Sequence, residues 1–355
     1  MLERTGTRPL RACLITGSPE AGRCGIHDYT SNLGRALERQ GVDVELIDQR
    51  DWSASGTLSL AQHLRRNAPD ILQMQYPMIV GWRSLGPHAT GFLNRIPQVV
   101  TLHEFTTFDR FRRASLRAFT ISASRIVMTT AFEAARFHAQ FPGARAKTSI
   151  VPIGSNVPFR ADIEAPRERR TVIYFGQIKP LKGLEQFIEL VLVASAKRLP
   201  WDFQILGAPV SWAKDYLAEM RRKVEGARVE WLLDRGDDEA ADLLSRASAA
   251  YLPYPDGVSE RRGSLIAALG NGAPVVTKTG PDQPADMADV VLLAADPEEA
   301  CTRIEGLFAD GALERRLREA GPTYVGRFDW DNIADRYIDI YRQIAPTAVP
   351  AEMAG

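Results

Sequence analysis

The chain has 355 residues, 45% hydrophobic and 25% charged, with 44 Lys and Arg against 44 Asp and Glu. That length exceeds one ordinary core and predicts two domains of about 150 to 200 residues. No run reaches the roughly 18 apolar residues of a spanning helix, which excludes a transmembrane protein of that kind. Met1 to Leu10 carries Arg4 and Arg8 and runs straight into a strand-like segment, with no apolar signal region, so a cytoplasmic protein is expected. Cys13, Cys24 and Cys301 are odd in number and far apart, which argues against a disulfide framework or a zinc site. The zero net charge hides an asymmetry: residues 1–160 hold 20 of the Lys and Arg but 12 of the Asp and Glu. A basic first half suits an anionic partner or is a solvated face. Helix-turn-helix, zinc-finger and RNA-binding motifs are missing, so no nucleic-acid partner is expected.

Short β-branched runs alternate with stretches of helical period, the pattern of βαβ units and a parallel sheet. Ala12–Thr16 reads as the first strand, followed by a glycine-bearing loop, Gly17 to Gly25. A helix then places Ile26, Tyr29, Leu33 and Leu37 on one face and ends at Gly41. Further strands are predicted at 42–47, 71–74, 98–103, 125–129 and 148–151. Pro152 to Arg170, with three prolines, a glycine and mixed charge, breaks the pattern and reads as a linker. A second series follows, with strands at 171–175, 203–206, 229–231, 249–252, 275–277 and 290–293 and helices running to about Ile344. Two doubly wound domains in tandem predict a cleft lined by the carboxyl ends of their strands.

Four segments carry candidate chemistry. The loop that ends at Gly25 lies before a helix N-terminus, where amide groups and the dipole favour an anion; a tight turn needing glycines reads the same way. It lacks the G-x-G-x-x-G spacing of a dinucleotide site, which weighs against a dehydrogenase. Gly176 and Gln177 follow the first strand of the second half, and Lys179 and Lys182 come next, placed to neutralise a diphosphate or simply solvated. Asp256-Gly-Val-Ser-Glu-Arg-Arg-Gly-Ser264 opens a helix, and its Glu260, Arg262, Gly263 and Ser264 suit an anion clamp. His103, followed by Glu104, ends an apolar strand, and His27 begins the first helix. Either can be a hydrogen-bonding or acid/base group, or a core histidine satisfied by a carbonyl.

Taken together and in order, these elements resemble the retaining glycosyltransferases of family 4, also called group 1. The matching pieces are Cys24-Gly25-Ile26-His27-Asp28-Tyr29-Thr30, Pro69-Asp70-Ile71 to Gln75-Tyr76, Thr101-Leu-His103 and Val151-Pro-Ile-Gly154. In the second half they are Phe175-Gly176 to Lys182-Gly183, Gly272-Ala-Pro274-Val-Val276 and Arg327-Phe328-Asp-Trp330. The resemblance covers nearly the whole chain. It implies an α/β protein of GT-B fold, two Rossmann-like doubly wound domains facing a central cleft. Residues 1–158 would bind the acceptor, completed by a C-terminal helix at about 330–345, and residues 168–328 would bind a nucleotide-diphospho-sugar. It further implies transfer to a hydroxyl with retention of configuration, no metal and no cofactor beyond the donor itself.

By this resemblance Lys182 matches the family's phosphate-binding lysine, Gly25 its N-terminal phosphate loop, and His103 the histidine that contacts the donor sugar. The chain also departs from the pattern. Gln177 stands where an arginine is usual, and Ser259 and Ala267 stand where the family places two glutamates. The reading of the departures is a rearranged site, with Arg262 supplying the missing charge and Glu260 reaching the sugar or ribose. Catalytic roles are thus expected for His103, Lys182 and Arg262, donor contacts for Gly25, Gly176, Gln177, Glu260, Gly263 and Ser264, and acceptor contacts for His27 and Glu104. Expected partners are the donor and a glycan, lipid-linked or small-molecule acceptor. Phe105 to Phe119, with Phe105, Phe108, Phe111, Leu116 and Phe119 among Arg110, Arg112, Arg113 and Arg117, is either a basic amphipathic face for anionic membrane or a core helix. The rival readings are an epimerase or phosphorylase on the same architecture, and a non-catalytic binding module favoured by the missing glutamates.

Overall fold

The computed structural model describes residues 8–16, 25–77, 84–160 and 170–345. The chain divides into two compact units, residues 1–154 with 329–355, and residues 155–328. In the first, β1 (Arg11–Thr16), α1 (Gly25–Arg39), β2 (Asp43–Asp48), α2 (Ala54–Asn67), β3 (Ile71–Tyr76) and α3 (Gly86–Leu93) are followed by β4 (Gln98–Leu102), α4 (Arg110–Ser122), β5 (Arg125–Met128), α5 (Ala131–Gln140) and β6 (Thr148–Ile150). In the second, β7 (Thr171–Phe175), α6 (Leu184–Ala196), β8 (Asp202–Gly207), α7 (Lys214–Lys223), β9 (Val229–Leu233) and α8 (Asp237–Arg246) precede β10 (Ala249–Leu252), α9 (Gly263–Gly270), β11 (Val275–Thr277) and β12 (Val291–Leu293). Helices α10 (Pro297–Ala309) and α11 (Gly311–Val325) close that unit, and α12 (Trp330–Ile344) belongs to the first. Each strand expected from β-branched runs forms, with ends that agree or differ by at most two residues.

Both sheets are parallel. The first runs β2-β1-β3-β4-β5-β6 and the second β12-β11-β10-β7-β8-β9. The order reverses between β1 and β3 in one unit and between β7 and β10 in the other, and such switch points are where open parallel sheets take ligands.

In the first unit, alternation along the strands builds two cores. Cys13, Ile15, Leu72, Met74, Val100 and Leu102 face the core under α2, α4 and α5. Ala12, Leu14, Ile71 and Val99 face the opposite core, closed by Tyr29, Leu33 and Leu37 of α1 and by Ile333, Tyr337 and Tyr341 of α12. Trp330 is seated on Gly154: a Cβ there would stand 2.5 Å from the indole. Helix α12 is therefore a structural part of a unit whose other elements end some 180 residues earlier.

Candidate active site

In the second unit the switch point is flanked by the loop after β7, which carries Lys182, and by the N-terminus of α9, which follows β10. The two loops are fastened to each other. Gly183 has φ +89°, and a Cβ on it would lie 2.3 Å from the carbonyl oxygen of Pro253, so only glycine lets the β7 loop rest on the end of β10. Tyr174, within β7, donates its hydroxyl to the Lys182 carbonyl at 3.0 Å, and burial raises its pKa well above the ordinary phenol value. Gly176 donates its amide to the Leu206 carbonyl at 3.1 Å, and the Gln177 carbonyl accepts from the Lys179 amide at 3.1 Å. The backbone at Lys182 is thus set by a tyrosine the sequence reading passed over.

Gly263 and Ser264 form the first turn of α9. A Cβ on Gly263 would meet nothing within 4 Å, so packing does not demand this glycine. Ser264 Oγ pairs with the Tyr254 hydroxyl at 2.8 Å, and the Arg262 guanidinium lies 5.0 Å from the centre of the Tyr254 ring. Arg262 also pairs through Nη2 with Asp256, while its Nε is buried with no hydrogen-bond partner among the described residues. Its neighbour Arg261 has a different duty, holding the buried Asp282 at 2.9 Å.

Glu260 turns toward the end of α11. Its Oε1 accepts from the Tyr324 hydroxyl at 2.8 Å and from Arg327, which also pairs with Asp286 at 3.4 Å. The two positions that hold glutamates in the resembled family are buried, Ser259 in the loop and Ala267 inside α9.

In the first unit His103 follows β4 and is buried. Its Nε2 is 2.9 Å from Gln75 Oε1, its amide donates to the Tyr76 carbonyl, and its ring meets the Tyr29 ring edge-on at 5.0 Å. Burial lowers its pKa to about 4, so at neutral pH it is an uncharged hydrogen-bonding group. Glu104 is exposed and sits in the left-handed region at φ +56°, a conformation a non-glycine residue holds only when its surroundings impose it. Here the turn that follows imposes it: the Thr106 amide and hydroxyl donate to the buried carboxylate of Glu133, at 2.9 and 2.7 Å. His27 lies in the first turn of α1 with Nδ1 buried and unpartnered among the described residues. Gly25 begins α1, and the loop before it, residues 17–24, lies outside the described residues, as does Cys24.

Between the two readings of Phe105 to Phe119 the core helix accounts for most of the apolar residues. Phe105, Phe108, Leu116 and Phe119 are buried, and only Phe111 is half exposed. Asp109 caps α4 by accepting from the Arg112 amide at 2.8 Å, which breaks the stretch into a short 3-10 turn and a helix. No helix among the described residues is long and apolar enough to cross a membrane.

Residues 47–157 match the family model described as Glycosyltransferase Family 4. The chain is similar to the GDP-mannose:cellobiosyl-diphosphopolyprenol alpha-mannosyltransferase of Xanthomonas campestris, with 24% identity over 278 residues, 75% of this chain and 67% of that protein. Among solved structures it is similar to the sucrose-phosphate synthase of Thermosynechococcus elongatus, with TM-score 0.71, 19% identity and coverage of 96% of this chain and all of that one. It is likewise similar to Anabaena Alr3699/HepE in complex with UDP and glucose, with TM-score 0.69, 16% identity and coverage of 94% and 100%. At these identities the structural likenesses establish the fold, that of the GT-B proteins.

Proposed function

From the match of residues 47–157 to the family 4 model, we propose that the chain is a glycosyltransferase of that family, which moves a sugar from a nucleotide-diphospho-sugar to an acceptor hydroxyl with retention of configuration. The observation that carries the donor assignment is the joint at the second switch point, where the Lys182 loop, held by Tyr174, rests on Pro253 at the end of β10, the strand that leads into α9. There Lys182, the amides of Gly263 and Ser264, and Arg262 neutralise the diphosphate. Charge collects on the leaving phosphate as the glycosidic bond breaks, and fixed positive groups do for it what a metal does in other enzymes. Gly176 and Gln177 border this site, and no cofactor beyond the donor is assigned.

The first unit takes the acceptor, with Glu104 and His27 as its polar contacts, and His103 serves a sugar hydroxyl. Because His103 is neutral, it acts by hydrogen bonding and not as a cation. The attacking hydroxyl loses its proton to the departing phosphate oxygen, a same-face displacement in which no side chain forms a covalent bond. Glu260, held by Arg327, contributes to the electrostatics of the donor site through that pair.

The acceptor is a glycan or a lipid-linked sugar. Phe111 and Ile121 are 50% and 72% exposed on α4 beside the exposed Arg110 and Arg117, an arrangement that favours peripheral contact with anionic lipid during use of a lipid-linked acceptor. Co-sedimentation that is the same with neutral and with anionic vesicles would remove this part of the proposal.

A thermal-shift panel of UDP, GDP, dTDP and ADP and their sugar conjugates tests the donor assignment. One nucleotide stabilises the protein selectively, by about 2.7 kcal/mol at roughly 100 times its Kd, and Lys182→Ala abolishes the effect. A protein that none of them stabilises at millimolar concentration is not a nucleotide-sugar enzyme. The buried Ser259 and Ala267 favour a second reading, a module that binds the nucleotide without turnover. It is separated by assaying release of nucleotide from the stabilising conjugate.

A further inference from the structure

Strand β3 is buried from end to end and still carries two glutamines, Gln73 and Gln75. Alternation places both on the face covered by α1 and α12, together with Thr16 of β1, Thr101 of β4 and His103. Deep in this face the polar groups satisfy one another. Gln73 Nε2 donates to Thr101 Oγ1 at 2.8 Å, Thr101 Oγ1 pairs with the Tyr337 hydroxyl at 2.7 Å, and that hydroxyl pairs with Tyr29 at 2.9 Å. Tyr341 completes the chain by donating to Gln73 Oε1 at 3.2 Å.

One step nearer the carboxyl edge the pattern stops. Gln75 gives one end of its amide to His103, and its Nε2 has no partner among the described residues. Thr16 Oγ1, on the neighbouring strand, has none either. Both residues are fully buried, and buried polar groups are almost always paired. The two orphans lie at the ends of β1 and β3, the strands that flank this sheet's switch point. A layer satisfied at depth and unsatisfied at its rim is shaped for something that arrives at the rim.

We propose that Thr16 Oγ1 and Gln75 Nε2, with His103, form a subsite for the hydroxyl groups of a sugar ring, and that Gln75 is also the positioning residue that fixes the His103 tautomer. The ligand class rests on the transferase reading above. With Nε2–H given to Gln75 Oε1, the neutral imidazole keeps Nδ1 as an acceptor. Gln75 Nε2 is a donor and the Thr16 hydroxyl is either. This mixed, uncharged set matches vicinal sugar hydroxyls, which donate and accept. A phosphate only accepts, and it would leave Nδ1 facing another acceptor.

The test uses the full chain with Thr16→Val, which deletes the hydroxyl and keeps the shape. Removing an orphaned buried polar group leaves the unliganded Tm unchanged or raises it, whereas a hydroxyl with a structural role would lower it. The probes are UDP and UDP-glucose, GDP and GDP-mannose, and cellobiose added with either nucleotide. The expected result is an unchanged response to bare nucleotide and about tenfold weaker binding of a sugar-bearing probe, the loss of roughly one hydrogen bond. If the loss falls on the increment between nucleotide and nucleotide-sugar, the subsite holds the donor sugar; if it falls on cellobiose, it holds the acceptor.

Gln75→Glu is the second variant. It keeps an acceptor for His103, deletes the N–H donor, and moves any His103-governed limb of the pH profile upward, which a merely structural residue would not do. A lowered Tm in Thr16→Val, or unchanged response in both arms, overturns the subsite while leaving the transferase reading intact. If no nucleotide stabilises wild type, the transferase reading fails and the cellobiose arm alone decides the subsite. A protein blind to every probe overturns both.

Discussion

Gly183 and Pro253 are in contact so close that a methyl group on the first would stand 2.3 Å from the carbonyl oxygen of the second. Gly183→Ala therefore cannot be accommodated without parting the β7 loop from the end of β10, and its φ of +89° adds strain. The expected cost is about 1–3 kcal/mol of stability in the second unit, with nucleotide affinity falling by at least about tenfold. Denaturant titration and nucleotide thermal shift on the same variant check it. A variant that loses stability and keeps its nucleotide response would mean that the joint does not position Lys182.

Tyr337→Phe removes a hydroxyl that pairs with both Thr101 and Tyr29 in a dry interior. The groups left behind are buried, so the loss is about 1–3 kcal/mol, in contrast to the near-neutral outcome expected at an exposed tyrosine. Urea denaturation at neutral pH measures it.

Acid should weaken the first unit in a definite window. His88, stacked on Phe119 at 4.5 Å, has both ring nitrogens buried without partners among the described residues, and burial lowers its pKa from 6.5 to about 4; His103 is lowered to about 4 as well. Between about pH 6.5 and pH 4 the unfolded chain binds protons that the folded one refuses. Stability is therefore highest above pH 6.5 and falls as pH drops through that interval. His88→Leu should raise stability by about 1–2 kcal/mol at pH 7.5 and by more at pH 5, because it removes both the orphaned nitrogens and one of the two titrations. Melting curves of wild type and variant at the two pH values check the sign. A smaller gain at pH 5 would be the wrong one.

Arg262 is held by Asp256, so an incoming diphosphate must compete with that carboxylate. Asp256→Asn should tighten anion binding roughly fivefold at low salt, the worth of about 1 kcal/mol, and Arg262→Ala should weaken it. Titration with the stabilising nucleotide at low and at high ionic strength distinguishes a charge effect, which salt suppresses, from a change of shape.

The fold was legible because its signal is local. Runs such as Thr171–Phe175, Ala249–Leu252 and Val275–Thr277 form strands over the same residues the pattern marks out. Of the candidate site residues, only their place along the elements was legible: Lys182 after β7, Ser264 at the start of α9, His103 after β4. Pairings were not. Glu260 meets Tyr324 and Arg327, more than 60 residues away, and nothing near Glu260 in the chain announces them. Nor could the helical spacing of Phe105 to Phe119 tell which rings face inward, since the Asp109 cap rephases the stretch. One missed signal was present. Glutamines at alternate positions of an otherwise apolar strand, Ile71-Leu-Gln-Met-Gln-Tyr76, put polar groups on one buried face, and that is where the unpaired amide lies.

The helix that closes the first unit is made after the whole of the second. While the ribosome is still adding residues 155–328, the sheet face carrying Leu14, Ile71 and Val99 lacks the cover that Ile333, Tyr337 and Tyr341 will give it. Synthesis at about 5–20 residues per second makes that interval roughly 10 to 35 seconds, long enough for the second unit to fold first. The usual order of folding along a chain is thereby reversed: the half that emerges earlier is finished later, and it waits with an apolar face open to chaperones or to other nascent chains.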